Sequence, residues 1–283
     1  MDPAALLAAV EGLKADAVIH TLTALKKAPV RHRAIAATNA LREEGTANLL
    51  AATQVVGAYR FVTQSMIFSY GYDDWGAKVI TEDDPPFGPP GRSRWLERRI
   101  KALRSAENQT FATEGIEGIA LRYGLFYGPN AGTEEMGEML RRRRLPILRP
   151  GGGPLSWVYV GDAVAATVAA LEKGRAGQAY NVVDDEPVSW REFVQALAEA
   201  VGTSSPLAVP RPVLRYLAPY AYTMMTSTLR ASNAKAKREL GWVLSYPTYR
   251  QGVARVAISL RNRKPEVAAG AQLMDSREPG ARL

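Results

Sequence analysis

Ser65 closes a stretch, Tyr59 to Tyr72 (YRFVTQSMIFSYGY), with the pattern of an apolar strand that breaks at Gly71. In parallel α/β sheets chemistry gathers beyond the carboxyl ends of the strands, so a polar residue at such an end is a candidate site residue. The same residues also suit a buried strand whose Ser65 and Gln64 complete its hydrogen bonds. Tyr123 and Tyr127 stand at and after a later strand; each is a phenol that can donate a proton, and each equally suits a packing aromatic with a polar tip. With no cysteine there is no thiolate nucleophile, disulfide or thiolate metal site. Two histidines, His20 and His32, make no convincing metal cluster. The basic run Arg141 to Arg144 follows Glu134, Glu135 and Glu138, and acid early with base late suits a solvated helix. Without interleaved aromatics or a recognition helix, that run argues against a nucleic-acid partner.

These residues need a scaffold, and 283 residues at 47% hydrophobic and 23% charged suit one large α/β domain or two closely joined ones. The net charge is +8. No run approaches the roughly 18 apolar residues of a membrane span, and the first 20 residues lack the pattern of a signal peptide. The expectation is a cytoplasmic protein with no membrane partner.

Along the chain, residues 3–14 read as an amphipathic helix with Pro3 in its first turn. A buried strand follows at 17–20, then a helix over 34–52 and the Tyr59 strand; this alternation predicts a parallel sheet. Residues 82–92 (EDDPPFGPPGR) are loop, 95–113 a long helix, and 118–123 a strand. Beyond Pro129 come a strand in LSWVYV, a helix that Asp162 opens as N-cap, a short strand at 179–183, and a capping box of Ser189 with Glu192. Residues 206–229 show no clear period and suit a short helix in a substrate lid or irregular core. Gly241 reads as a helix stop. The residues from about 261 on have little to bury and are expected to be disordered.

Seven segments occur in a characteristic order: DAVIH, TNALREEGTANLLAA, RFVTQSMIFSYG, GIALRYGLFYGP, LSWVYVGDAVAATVAALE, AYNVVDDEPVSWREF and KAKRELGW. Together they resemble the extended short-chain dehydrogenases, the NAD-dependent epimerase/dehydratase group, over nearly everything from Asp2 to about Gly252. The resemblance implies a Rossmann-like α/β fold whose parallel sheet has flanking helices. It implies a partial NAD(P)-binding portion over 1–130, a substrate-binding part over 131–260 with interleaved Rossmann elements, and a tail over 261–283. The implied function is that of a NAD(P)-dependent epimerase, dehydratase or reductase acting on a nucleotide sugar or similar hydroxylated metabolite, with a homodimer left open. The alternative is a non-catalytic relative that keeps the fold to bind a ligand or partner.

The resemblance also assigns positions. Thr21, Leu22 and Thr23 fall where the loop lies against the adenine side of NAD or NADP, although Thr21 and Thr23 also suit a plain turn. Gly124, Leu125 and Phe126 fall where the nicotinamide carboxamide is touched. Ser65 or Met66 takes the place of the residue that hydrogen-bonds a substrate oxygen, and Ser65 is the chemically sensible one. Asp162 and Asn181 match structural positions. Two family features are missing. No GxxGxxG turn is present, so about 60 residues of two βα units are expected upstream and dinucleotide binding is expected to be weak. No Tyr has Lys four residues on; the pair's positions fall on Pro90 and Arg94 or on Trp95 and Arg99, and an arginine that stays charged is a poor proton relay. A water, Tyr123 or Tyr127 would then have to donate any proton.

Overall fold

The computed structural model describes residues 2–25, 28–85 and 93–262. Asp2 accepts from the Ala4 and Ala5 amides and Pro3 takes the first turn of α1 (Pro3–Val10), which ends short of the expected 3–14. β1 (Ala17–His20) follows as predicted. The expected helix over 34–52 is a composite: α2 (Ala36–Ala40), a π turn at Leu41–Gly45, and α3 (Thr46–Val55). A π turn admits one more residue than an α turn and swings the side chains before it to a new direction.

β2 (Arg60–Met66) leads through a tight turn to β3 (Asp74–Ile80). The sequence did not point to β3 because only its last residue, Ile80, is buried. It forms through pairing with β12 (Thr228–Ala231), about 150 residues away in the chain. Of the loop expected at 82–92, residues 86–92 lie outside the described residues. α4 (Arg94–Ala112) buries Arg99, Ile100, Leu103, Ala106, Glu107 and Thr110 on one face.

The remaining strands are β4 (Glu117–Tyr123), β5 (Leu125–Tyr127), β6 (Pro146–Arg149), β7 (Pro154–Leu155), β8 (Trp157–Tyr159), β9 (Gln178–Val182), β10 (Val188–Ser189) and β11 (Leu207–Pro210). Between them lie α5 (Thr133–Arg141), α6 (Val160–Lys173), α7 (Trp190–Ala200), α8 (Arg211–Leu217) and α9 (Pro219–Thr226), with α10 (Ala234–Leu240) and α11 (Tyr249–Asn262) after β12. Residues 206–229, without clear period in the sequence, are thus two short strands around two short helices. The Ser189–Glu192 capping box opens α7, and Gly241 ends α10 at φ 63. Asp162 is not the N-cap of α6. Tyr159 holds that place, and the Asp162 carboxylate instead accepts from the Ser245 and Tyr246 amides at 2.8 and 2.9 Å. α11 carries regular structure to Asn262, past the expected start of the tail; residues 263–283 lie outside the described residues.

The main sheet is parallel throughout in the order β1-β2-β4-β9. Because β9 returns to it after α5–α6 and β5–β8, the later half of the chain contributes a strand to the sheet begun by the first half. Register pairs His20 with Thr63 and Met66 with Tyr123. The loops after β1, β2 and β4 therefore leave from one edge of the sheet, the place where parallel α/β folds put their ligands. No helix among the described residues is long and apolar enough to cross a membrane.

Candidate functional site

At the carboxyl end of β2 two neighbouring residues do different things. Ser65 is fully buried, and its Oγ donates to Glu107 Oε1 on α4. Met66 instead faces Arg99, whose Nη2 lies 3.3 Å from the Met66 sulfur. Ser65 thus enters an internal polar chain. Arg122 on β4 donates to Glu107 through Nε at 3.1 Å and Nη2 at 2.6 Å, and through Nη1 to the Tyr70 hydroxyl at 2.8 Å. Tyr70 donates in turn to Asn181 Oδ1 at 3.0 Å, and the Asn181 amide donates to Glu82 at 2.6 Å. Burial opposes the Arg122 charge, but its bonds to Glu107 and Tyr70 hold its pKa above the ordinary value. Burial pushes the Tyr70 phenol up to about 12. The chain ties β2, α4, β4 and β9 together behind the strand ends.

In front of it lies a second group of a different character. Arg99 and Arg42 are 5% and 7% exposed, and neither forms an ion pair among the described residues. Arg99 is caged by aromatic rings, its guanidinium carbon 5.8 Å from the Phe68 centroid, 5.5 Å from Tyr72 and 5.0 Å from Tyr220. Phe68 and Tyr72 stack at 4.7 Å. The π turn carries Arg42 into this region, where burial and the like charge of Arg99 lower its pKa to about 9. Arg99 Nε and Nη1, Arg42 Nη1 and the Tyr72 hydroxyl are buried without a hydrogen-bond partner among the described residues. Burial also pushes the Tyr72 phenol up to about 12, so it remains a neutral donor. Beside them His20 at the end of β1 is held neutral, its pKa lowered to about 4 by burial and by Arg42.

The other assigned positions sit on the same sheet edge. Thr21, Leu22 and Thr23 are exposed after β1. The Thr23 hydroxyl accepts from the Leu25 amide at 3.2 Å and lies 3.4 Å from that of Thr38, the turn chemistry also expected for it. Gly124 leaves β4 where a Cβ would come within 2.8 Å of the Ser156 carbonyl, so only glycine allows β4 to run this close to β8. Leu125 and Phe126 are half-buried, Phe126 against the Tyr123 ring at 5.2 Å. Of the two placements of the missing Tyr–Lys pair, Arg99 points inward at the strand end, while Arg94 is exposed and lies over the ring of Trp95. Tyr123 and Tyr127 are engaged elsewhere, with Thr167 at 2.6 Å and Asp184 at 2.8 Å.

Arg42, Tyr72 and Glu107 did not stand out in the sequence as site residues. Glu107 had a signal: it shares the helical spacing of Ile100, Leu103 and Thr110, so a carboxylate lies on an apolar stripe. Arg42 had none: it is buried within the π turn, where regular helical spacing does not hold.

The family model for the NAD dependent epimerase/dehydratase family matches residues 1–183. A "3-diazoavenalumate denitrifying reductase" from Streptomyces sp is 34% identical over 262 residues, covering 90% of this chain and 84% of that protein. The solved dTDP-glucose 4,6-dehydratase DesIV of Streptomyces venezuelae, with NAD and TYD bound, shares the fold at a TM-score of 0.72 and 20% identity, covering 93% of this chain and 77% of that one. The human epimerase family protein SDR39U1 with NADPH does so at 0.74 and 16% identity, covering 91% of this chain and 86% of that one. The fold, the strand-end site and these likenesses agree: the chain belongs to the NAD-dependent epimerase/dehydratase family.

Proposed function

We propose that this chain is a NAD(P)H-dependent reductase of a small electrophilic metabolite rather than an epimerase or dehydratase. The observation that carries the reading is Arg99, buried at the end of β2 with Nε and Nη1 unpartnered. Epimerisation and dehydration of sugars begin by oxidising a hydroxyl, which requires a group to take its proton. Arginine stays charged and takes none. A preorganised cation does stabilise negative charge that develops on an acceptor during reduction. The 34% identity to a protein named as a reductase points the same way.

The cofactor, when bound, supplies a hydride and thus two electrons. At the acceptor a new bond to hydrogen forms, the displaced electron pair moves onto its heteroatom beside Arg99, and water supplies the proton. Thr21, Leu22 and Thr23 would meet the adenine side and Gly124, Leu125 and Phe126 the nicotinamide carboxamide. The orphaned donors of Arg99 and Tyr72 fit a ligand rich in acceptors. Ser65 supports the site from behind through Glu107.

The test mixes the purified chain with NADH or NADPH and an electrophile (an aryl diazonium, a quinone or an enone) and follows loss of the reduced nicotinamide. The reading expects oxidation with at least one acceptor, abolished in Arg99→Met. Conversion of dTDP-glucose without net nicotinamide oxidation would overturn it.

A further inference from the structure

Four donor atoms in and beside the cage around Arg99 have no hydrogen-bond partner among the described residues. Arg99 Nε and Nη1, Arg42 Nη1 and the Tyr72 hydroxyl are all buried and unpartnered. Two buried like charges without a counter-charge cost the fold several kcal/mol of desolvation and repulsion, so they are out of place as packing. Among the described residues no anion faces them: Arg99 faces Phe68, Tyr72, Tyr220 and the Met66 sulfur. His20 is neutral at the Arg42 side, and the half-buried His32 is itself discouraged from charging by burial and by Arg99. The one carboxylate that β2 and α4 bury between them, Glu107, is committed to Arg122 and Ser65. Arginine is suited to this task because its planar fork meets the two oxygens of a carboxylate or phosphate together.

We infer that Arg42, Arg99 and the Tyr72 hydroxyl form a receptor for one oxyanion, a carboxylate or phosphate, carried by the bound small molecule. The inference rests on the reductase reading for its setting and deepens it. One negative charge balances one guanidinium and leaves the other for the charge that develops on the acceptor. The aromatic walls Phe68, Tyr72 and Tyr220 suit a flat ring attached to that anion.

Thermal unfolding and calorimetric titration of the full chain test this without turnover, so absence of reductase activity would sink the proposed function and leave this result standing. The probes are benzoate, inorganic phosphate, NADH and NADPH, used against the native protein, Arg42→Met and Tyr72→Phe. The expected result is stabilisation by benzoate or phosphate, with affinity about tenfold or more weaker in Arg42→Met, the loss of one charge-assisted contact. Arg42→Met without ligand should unfold at a higher temperature than the native protein, because an uncompensated buried charge is gone; this keeps the test free of a folding defect. NADPH binding more tightly than NADH, with that preference lost in Arg42→Met, assigns the anion to the cofactor. Benzoate that still binds with NADPH present assigns it to the substrate. No effect of either anion on the native protein, or unchanged affinity in Arg42→Met, would overturn the inference.

Discussion

Arg122 and Glu107 meet inside the protein as a two-point ion pair, Nε to Oε1 at 3.1 Å and Nη2 to Oε2 at 2.6 Å, with side chains 4% and 1% exposed. The pair bolts β4 to α4 behind the strand ends. Removing one partner leaves the other charge buried alone. Glu107→Gln is therefore expected to lower stability by about 3–5 kcal/mol in urea unfolding. The double variant Glu107→Gln, Arg122→Met should recover a substantial part of that loss; no recovery would mean the cost is not the orphaned charge.

Ser65 donates into the same pair. Ser65→Ala should lower stability by about 1–3 kcal/mol, since Glu107 loses a buried donor, and any nicotinamide oxidation should persist. Turnover abolished in a variant of native stability would return Ser65 to direct contact with substrate.

Asp184 gives a pH dependence. Burial pushes its carboxyl up to about 8 from 3.8, while it accepts from the Tyr127 hydroxyl and the Tyr159 amide at 2.8 and 3.2 Å. The folded protein keeps a proton there that the unfolded chain releases above about pH 4. The group therefore lowers stability progressively as pH rises from about 4 to about 8, and no further beyond. Asp184→Asn should be more stable than the native protein, by a margin that widens across this window in denaturation series. A constant margin would contradict the raised pKa.

Tyr123 and Tyr127 are the phenols nearest to candidate proton donors in the sequence, and each is bound inward. Burial pushes Tyr123 up to about 12 while its hydroxyl pairs with Thr167. Tyr127 is raised further by burial and by Asp184. Tyr123→Phe and Tyr127→Phe should each cost about 1 kcal/mol of stability and leave kcat unchanged. A fall in kcat with altered solvent isotope effect would make that phenol a donor after all.

The parallel sheet was legible because β1, β2, β4 and β9 carry dense apolar runs that little else satisfies. β3 was not, since Gly76 to Val79 are exposed and only pairing with β12 makes them a strand. Ser65 was found by its place at a strand end, but the pattern of residues could not say which way its hydroxyl turns. Met66, next to it, is the residue that faces Arg99. Arg99 was legible as one of two placements, and burial separates it from the exposed Arg94. Arg42 and Tyr72 join the site through a local change of helix pitch and through a turn at Gly71, and neither leaves a mark in residue type.

The π turn at Leu41–Gly45 has a consequence for how such a site is gained or lost. One surplus residue in a helix offsets everything before it by about 100° of rotation, so Arg42 faces inward by count and not by kind. Deleting the exposed Glu44 would let the helix run straight from Ala36 to Val55 and turn the guanidinium away from Arg99, with every functional side chain still present. The insertion or deletion of one residue in this helix is then enough to turn the second cation in or out.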